Sequence, residues 1–175
     1  MAHDTGLGAS GSHKKGELAK FTTVLWFDGD AEAAARFYAE TFSDSSVGHV
    51  FRAPADFPGG KKGDALTVEF TVLGRAFSGL NGGDMFKPNE SVSFMVVTED
   101  QAETDRYWNA ITGNGGQESA CGWCKDKWGF SWQITPRTLL ESQEAGGEEA
   151  RRAFEAMMTM GKIDVAAIDA ARKGD

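Results

Sequence analysis

An α+β fold of two paired βαβββ modules with a C-terminal helical extension is predicted for this 175-residue chain by three features. A short β-branched and aromatic run feeds directly into a helix-spaced segment. Three further strand candidates follow, separated by Pro/Gly-rich turns. The same order then recurs about 70 residues later.

The first run is Phe21 to Phe27 (FTTVLWF), whose composition favours a strand. Asp28-Gly29-Asp30 makes a turn with Asp30 as candidate N-cap, and Ala31 to Phe42 carries Ala34, Phe37, Tyr38 and Phe42 at helical spacing. Strands are expected over 47–52, 64–73 and 75–81, with the Pro/Gly stretch 54–63 and the turn at Gly74 between them. A shift of 70 residues lays Val24-Leu25-Trp26-Phe27 on Phe94-Met95-Val96-Val97, Asp30 on Asp100, Arg36 on Arg106 and Phe37-Tyr38 on Tyr107-Trp108. Strand candidates continue over 117–122, 123–127 and 131–135, and Phe77-Ser78 echoes in Phe130-Ser131. Each βαβββ unit buries one sheet face under its own helix and leaves the other to be covered, so pairing two units is expected to enclose a cavity.

Residues 1–20 are rich in Gly, Ser and charge and carry too little apolar surface to pack, which makes them a disordered arm or an expression remnant, with His3 and His13 ligating nothing. The paired modules occupy 21–136. Residues 137–175 form the helical extension, with helices expected over 139–145, 148–160 and 164–172. The middle one carries Ala150, Ala153, Phe154, Met157 and Met158 as one apolar stripe, which is expected to dock on the body or on a second copy in a homodimer.

Composition excludes several classes. Eighteen basic against 26 acidic residues give a net charge of -8, with no basic cluster beyond Lys14-Lys15 or Lys61-Lys62, so a nucleic-acid partner is not expected. No apolar run approaches membrane-spanning length and no secretory signal is evident, which points to a cytoplasmic protein without a membrane partner.

Cys121-Gly122-Trp123-Cys124 has redox spacing, yet it falls at a strand-to-strand turn without the helix N-terminus that activates a thiol. Zinc would need two further ligands, and no second pair exists. Buried or turn cysteines and a reactive thiol both stay open. Leu80-Asn81-Gly82-Gly83 lacks the Lys-Ser/Thr of a phosphate loop; its glycines fit positive φ and close backbone approach, with Asn81 able to present an amide inward. Phe86, Trp123, Trp128 and Trp132 are either core or a grip for an organic ligand. Alternation turns Trp132 and Gln133 to opposite faces.

The segments LWFDGDAEAAARFYAETF, VEFTVLGRAFSGLNGG with FKPNESVSFMV, and CGWCKDKWGFSWQITP resemble the PhnB-like branch of the vicinal oxygen chelate superfamily. That superfamily also holds glyoxalase I, extradiol dioxygenases and bleomycin-resistance proteins, and some PhnB-like relatives carry a 3-demethylubiquinone-9 3-methyltransferase label. The resemblance covers about Phe21 to Pro136 and implies the glyoxalase/bleomycin-resistance-like pairing of modules. In metal-dependent members four inward His or Glu side chains hold a divalent ion. The corresponding positions here are Thr23, near Gly79, Ser93 and Gln133, and none offers an imidazole or carboxylate. No metal and no cofactor are therefore expected. The family's Cys-Gly-Trp followed by an apolar residue makes Cys124 a packing replacement and Cys121 the better cavity residue. His49, on the second strand, has no second His nearby.

The reading that follows is a binder of a small organic molecule, with Thr23, Asn81, Phe86, Ser93, Cys121, Trp123 and Gln133 as its ligand-binding residues and no assigned catalytic residue. A metal-dependent lyase, isomerase or dioxygenase, and a dimeric interaction module, are the competing readings. No strand-ending Gly-rich loop supports methyl transfer.

Overall fold

The computed structural model describes residues 20–174. Nearly all of the predicted terminal arm, including His3 and His13, lies outside the described residues. The chain falls into two compact units that divide between Asp84 and Met85.

In the first unit, β1 (Thr23–Phe27) leads into α1 (Ala31–Thr41), followed by β2 (Ser46–Arg52), β3 (Ala65–Val72) and β4 (Arg75–Asn81). The sheet order is β1-β4-β3-β2, with β1 parallel to β4 and the other pairs antiparallel. Leu25 and Phe27 of β1, Gly79 of β4, and Val68 and Phe70 of β3 turn to one face, where Ala31, Ala34, Ala35 and Tyr38 of α1 cover them. Alanine on that helix face allows close approach, and Gly79 completes it: a Cβ there would lie 2.9 Å from the Ala31 Cβ. The opposite face carries Val24, Trp26, Ser78 and Leu80.

The second unit repeats the plan. β5 (Ser93–Thr98), α2 (Gln101–Gly113), β6 (Gln117–Glu118), β7 (Trp123–Lys125) and β8 (Ser131–Pro136) form a sheet of order β5-β8-β7-β6. Val96, Thr98, Trp132 and Ile134 pack beneath Thr104, Tyr107, Trp108 and Ile111 of α2. The Thr98 and Thr104 hydroxyls pair at 2.7 Å, which satisfies two polar groups inside this layer.

The three C-terminal helices belong to this unit: α3 (Arg137–Ala145), α4 (Gly147–Met157) and α5 (Val165–Lys173). Leu139, Ala153, Ile163 and Ile168 form their core, with Met157 and Met160 packed against it. The predicted α4 stripe is thus split. Ala153 turns inward, whereas Phe154 and Met158 are each 54% exposed. The helices are tied to the sheet by the backbone bonds Cys121 N–H to Met160 O and Gly122 N–H to Gly161 O, both 2.8 Å. Gln101 of α2 adds a latch, donating to Ile163 O and accepting from Val165 N–H.

The repeat is offset at one place. The helices correspond at a shift of 70, with Asp30 and Asp100 each preceding the first turn. The buried residues of the strands correspond at 71, Leu25 with Val96 and Phe27 with Thr98, because β1 reaches its helix through Asp28-Gly29-Asp30 and β5 through Glu99-Asp100 alone. The gapless match of Leu25 to Met95 is corrected accordingly: Leu25 is buried and Met95 is 54% exposed. Pairing with β1 and β5 likewise equates Phe77 with Trp132 and Ser78 with Gln133, which displaces the echo of Phe77-Ser78 in Phe130-Ser131.

Candidate functional site

The face of the second sheet opposite α2 gathers polar side chains in register. Gln117 pairs with Lys125, Lys125 with Ser131 and Ser131 with Ser93, giving one polar row across all four strands. The adjacent row runs Trp123, Gln133, Met95. Gln133 Nε2 donates to Ser93 Oγ at 2.8 Å, joining the rows. Lys125 is ion-paired with Glu90 from the segment preceding β5, and hydrogen bonding to this ammonium holds the Glu90 carboxyl below the usual carboxylate range. Beside the polar row lies a cleft of about 160 Å³ lined by Glu90, Gln117, Glu118, Ser119, Trp123, Lys125 and Ser131. The Ser131 hydroxyl is buried there with no hydrogen-bond partner.

Three of the expected residues, Ser93, Trp123 and Gln133, therefore share one surface. The others are placed elsewhere. Asn81 is 4% exposed and turned to the helix side of the first sheet. Its Oδ1 accepts from Ala31 N–H at 3.0 Å and its Nδ2 donates to Ala65 O at 2.8 Å. The amide thus caps α1 and fastens β3, and the expected inward presentation to a ligand is corrected. Thr23 shares a side with Leu25 and Phe27 by alternation, and Gly79 is sealed against Ala31. The residues of the first unit that correspond to Ser93 and Gln133 are Thr22 and Ser78. Phe86 is 57% exposed in the segment before β5.

Cys121 occupies the left-handed region at φ 59°, followed by Gly122 at φ 80°. With Trp123 N–H bonded to Ala120 O at 3.0 Å, the pair forms a type I′ hairpin turn. Its thiol lies 3.6 Å from Met158 Sδ, against the helical extension and away from the polar row. Cys124 pairs with Trp132 on the helix-facing side and is 1% exposed. Burial, with Asp126 and Glu118 nearby, pushes its thiol up to about 12. Both cysteines are free.

One residue that organises this sheet escaped the sequence reading. Asp126 is buried in the β7–β8 turn; Oδ1 accepts from the N–H groups of Trp128 and Phe130, each 3.0 Å, and Oδ2 from Trp132 Nε1 at 2.9 Å. An Asp two and four residues before its backbone donors is the available signal.

The donors at the corresponding positions are neutral in each unit taken by itself: the hydroxyls of Thr22 and Ser78 in the first, and the hydroxyl of Ser93 and the amide of Gln133 in the second, with no imidazole, thiolate or carboxylate to suit a divalent metal. Among the described residues no group of three or more His, Cys, Asp or Glu side chains is placed to hold a metal ion. His49 is exposed on β2. No helix among the described residues is long and apolar enough to cross a membrane.

Comparison with known proteins agrees with this architecture. None of the curated proteins matches the chain. Among solved structures, the PhnB protein from Bacillus cereus is 29% identical, with a TM-score of 0.60 over 67% of this chain and 99% of its own. A Pseudomonas aeruginosa protein shares the fold at 16% identity and a TM-score of 0.55, over 68% of this chain and 98% of its own. A glyoxalase-related enzyme from Fulvimarina pelagi is a more distant match, 20% identical with a TM-score of 0.42, over 69% of this chain and 91% of its own. The family model described as 3-demethylubiquinone-9 3-methyltransferase matches residues 19–135, the span of both βαβββ modules. The chain belongs to that family, and its likeness to the Bacillus cereus PhnB protein agrees with the match.

Proposed function

We propose that this chain binds a small organic molecule on the Ser93–Gln133–Trp123 face of its second sheet, without a catalytic metal. The observation that carries the reading is the register of that face. Hydroxyl, amide and ammonium groups lie in neighbouring rows with an indole and a thioether, Met95 being 54% exposed. Concave sites that hold organic ligands combine apolar area with a few convergent polar groups in this way. The absence of charged or imidazole donors at the superfamily's metal positions supports the metal-free part.

Elemental analysis of purified protein tests that part, and stoichiometric Ni, Zn, Fe or Mn would sink it. A thermal-shift panel of aromatic and phosphonate compounds tests the rest. A ligand at a hundredfold excess over its Kd is expected to raise Tm by roughly 5 °C or more. That gain is expected to disappear in a Ser93→Ala, Gln133→Ala double variant. A panel in which no compound moves Tm favours the interaction module instead, for which the exposed Phe154 and Met158 supply the surface.

A further inference from the structure

The buried end of the 160 Å³ cleft is chemically specific. Ser131 is 1% exposed, and its hydroxyl meets no partner within the protein. A hydroxyl withdrawn from water without a hydrogen bond is a cost that a fold does not retain without return, so the group invites a partner from outside the chain. Its register neighbour is Lys125. Two residues back along β7, on the same face, is Trp123, beside Gln133. A lysine and a serine with an orphaned hydroxyl thus stand side by side on neighbouring strands and line one cleft, with the Trp123 ring in the same lining.

We propose that Lys125 and Ser131 form a subsite for the carboxylate of a small aromatic acid, whose ring lies against Trp123, and that Glu90 holds the Lys125 position until the ligand displaces it. This rests on the small-molecule reading above and names the ligand class for that face. The Glu90 carboxylate already paired with Lys125 displays the chemistry the ammonium accepts. Glu90 is exposed and belongs to the segment before β5, so its removal disturbs no buried group. Glu118, the other carboxylate lining the cleft, accepts from the Trp108 indole at 3.2 Å and pairs in register with the helix-facing Cys124. A planar acid satisfies both at once, since each carboxylate oxygen accepts a separate donor. The volume suits a single ring, as cavities of roughly 150 Å³ admit benzene.

Calorimetric titration with benzoate, benzamide and benzylamine separates the possibilities. Benzoate is expected to bind at least roughly tenfold more tightly than benzamide, and Lys125→Met to erase that difference. Ser131→Ala is expected to weaken benzoate roughly tenfold while leaving Tm unchanged or higher, because the hydroxyl has no internal bond to lose. Glu90→Gln is expected to tighten benzoate several-fold by neutralising the competing carboxylate. Equal binding of benzoate and benzamide, both lost in Trp123→Ala, overturns the carboxylate subsite and leaves the small-molecule reading intact. Preference for benzylamine overturns it in favour of a cationic ligand, and benzoate binding indifferent to both Lys125→Met and Ser131→Ala overturns it by placing the acid elsewhere. If none of the three probes binds while compounds of the wider panel do, the subsite fails alone; if those fail too, both readings fall.

Discussion

Asp126 shows how much of this protein's order depends on single buried polar groups. A carboxylate withdrawn from water is tolerated only when its lone pairs are met, and here two backbone N–H groups and the Trp132 indole meet them. Asp126→Ala leaves three donors unsatisfied and is expected to cost about 3 kcal/mol of stability, read as a lowered urea midpoint. Cys124 is the complementary case, a buried thiol kept neutral. Its pKa is raised from 9.0 to about 12, so between those values the native state holds a proton that the unfolded state has released. Stability is therefore present in full below about pH 9 and expected to fall as pH rises toward 12, a slope that Cys124→Ala flattens in alkaline denaturation series. In native protein a thiol reagent is expected to titrate only the half-buried Cys121, and Cys124 after denaturation.

At the scale of elements, strands and helices were largely legible, because alternation and helical spacing are local properties. The predicted 75–81 strand is β4 to the residue, and α1 begins at Ala31 as expected. The caps were less so. Asp30 precedes α1 with no side-chain bond to it, whereas Asp100 accepts from Glu103 N–H at 2.8 Å. The role left open by Asp30 is taken by Asn81, which is 50 residues away in sequence and brought to the helix start by β1–β4 pairing. Asn81→Ala is expected to lower stability by roughly 1 to 3 kcal/mol, measured by chemical denaturation. An equal Tm in that variant would show that water caps the helix equally well. Local sequence could not separate the two functions of an Asn beside glycines, since presenting an amide to a ligand and capping a distant helix demand the same residue type.

For the whole molecule, the stripe on α4 sets the next question. Ala153 is consumed by the helical core, but Phe154 and Met158 are each 54% exposed on successive turns. A homodimer through this pair is proposed, and Phe154→Glu with Met158→Lys is expected to convert a dimer to a monomer in sedimentation equilibrium; a wild-type monomer at all concentrations rejects it. The repeat of strand, helix and three strands was readable because each module folds by its own periodicity. Which residues share a face was decided by tertiary structure. The missing residue between β5 and α2 moves the strand register from 70 to 71, and because side chains alternate, that single step exchanges Thr23 for Thr22 and Gly79 for Ser78 as the counterparts of Ser93 and Gln133. The elements thus followed from sequence, while the composition of the candidate site followed from pairing between strands far apart in the chain.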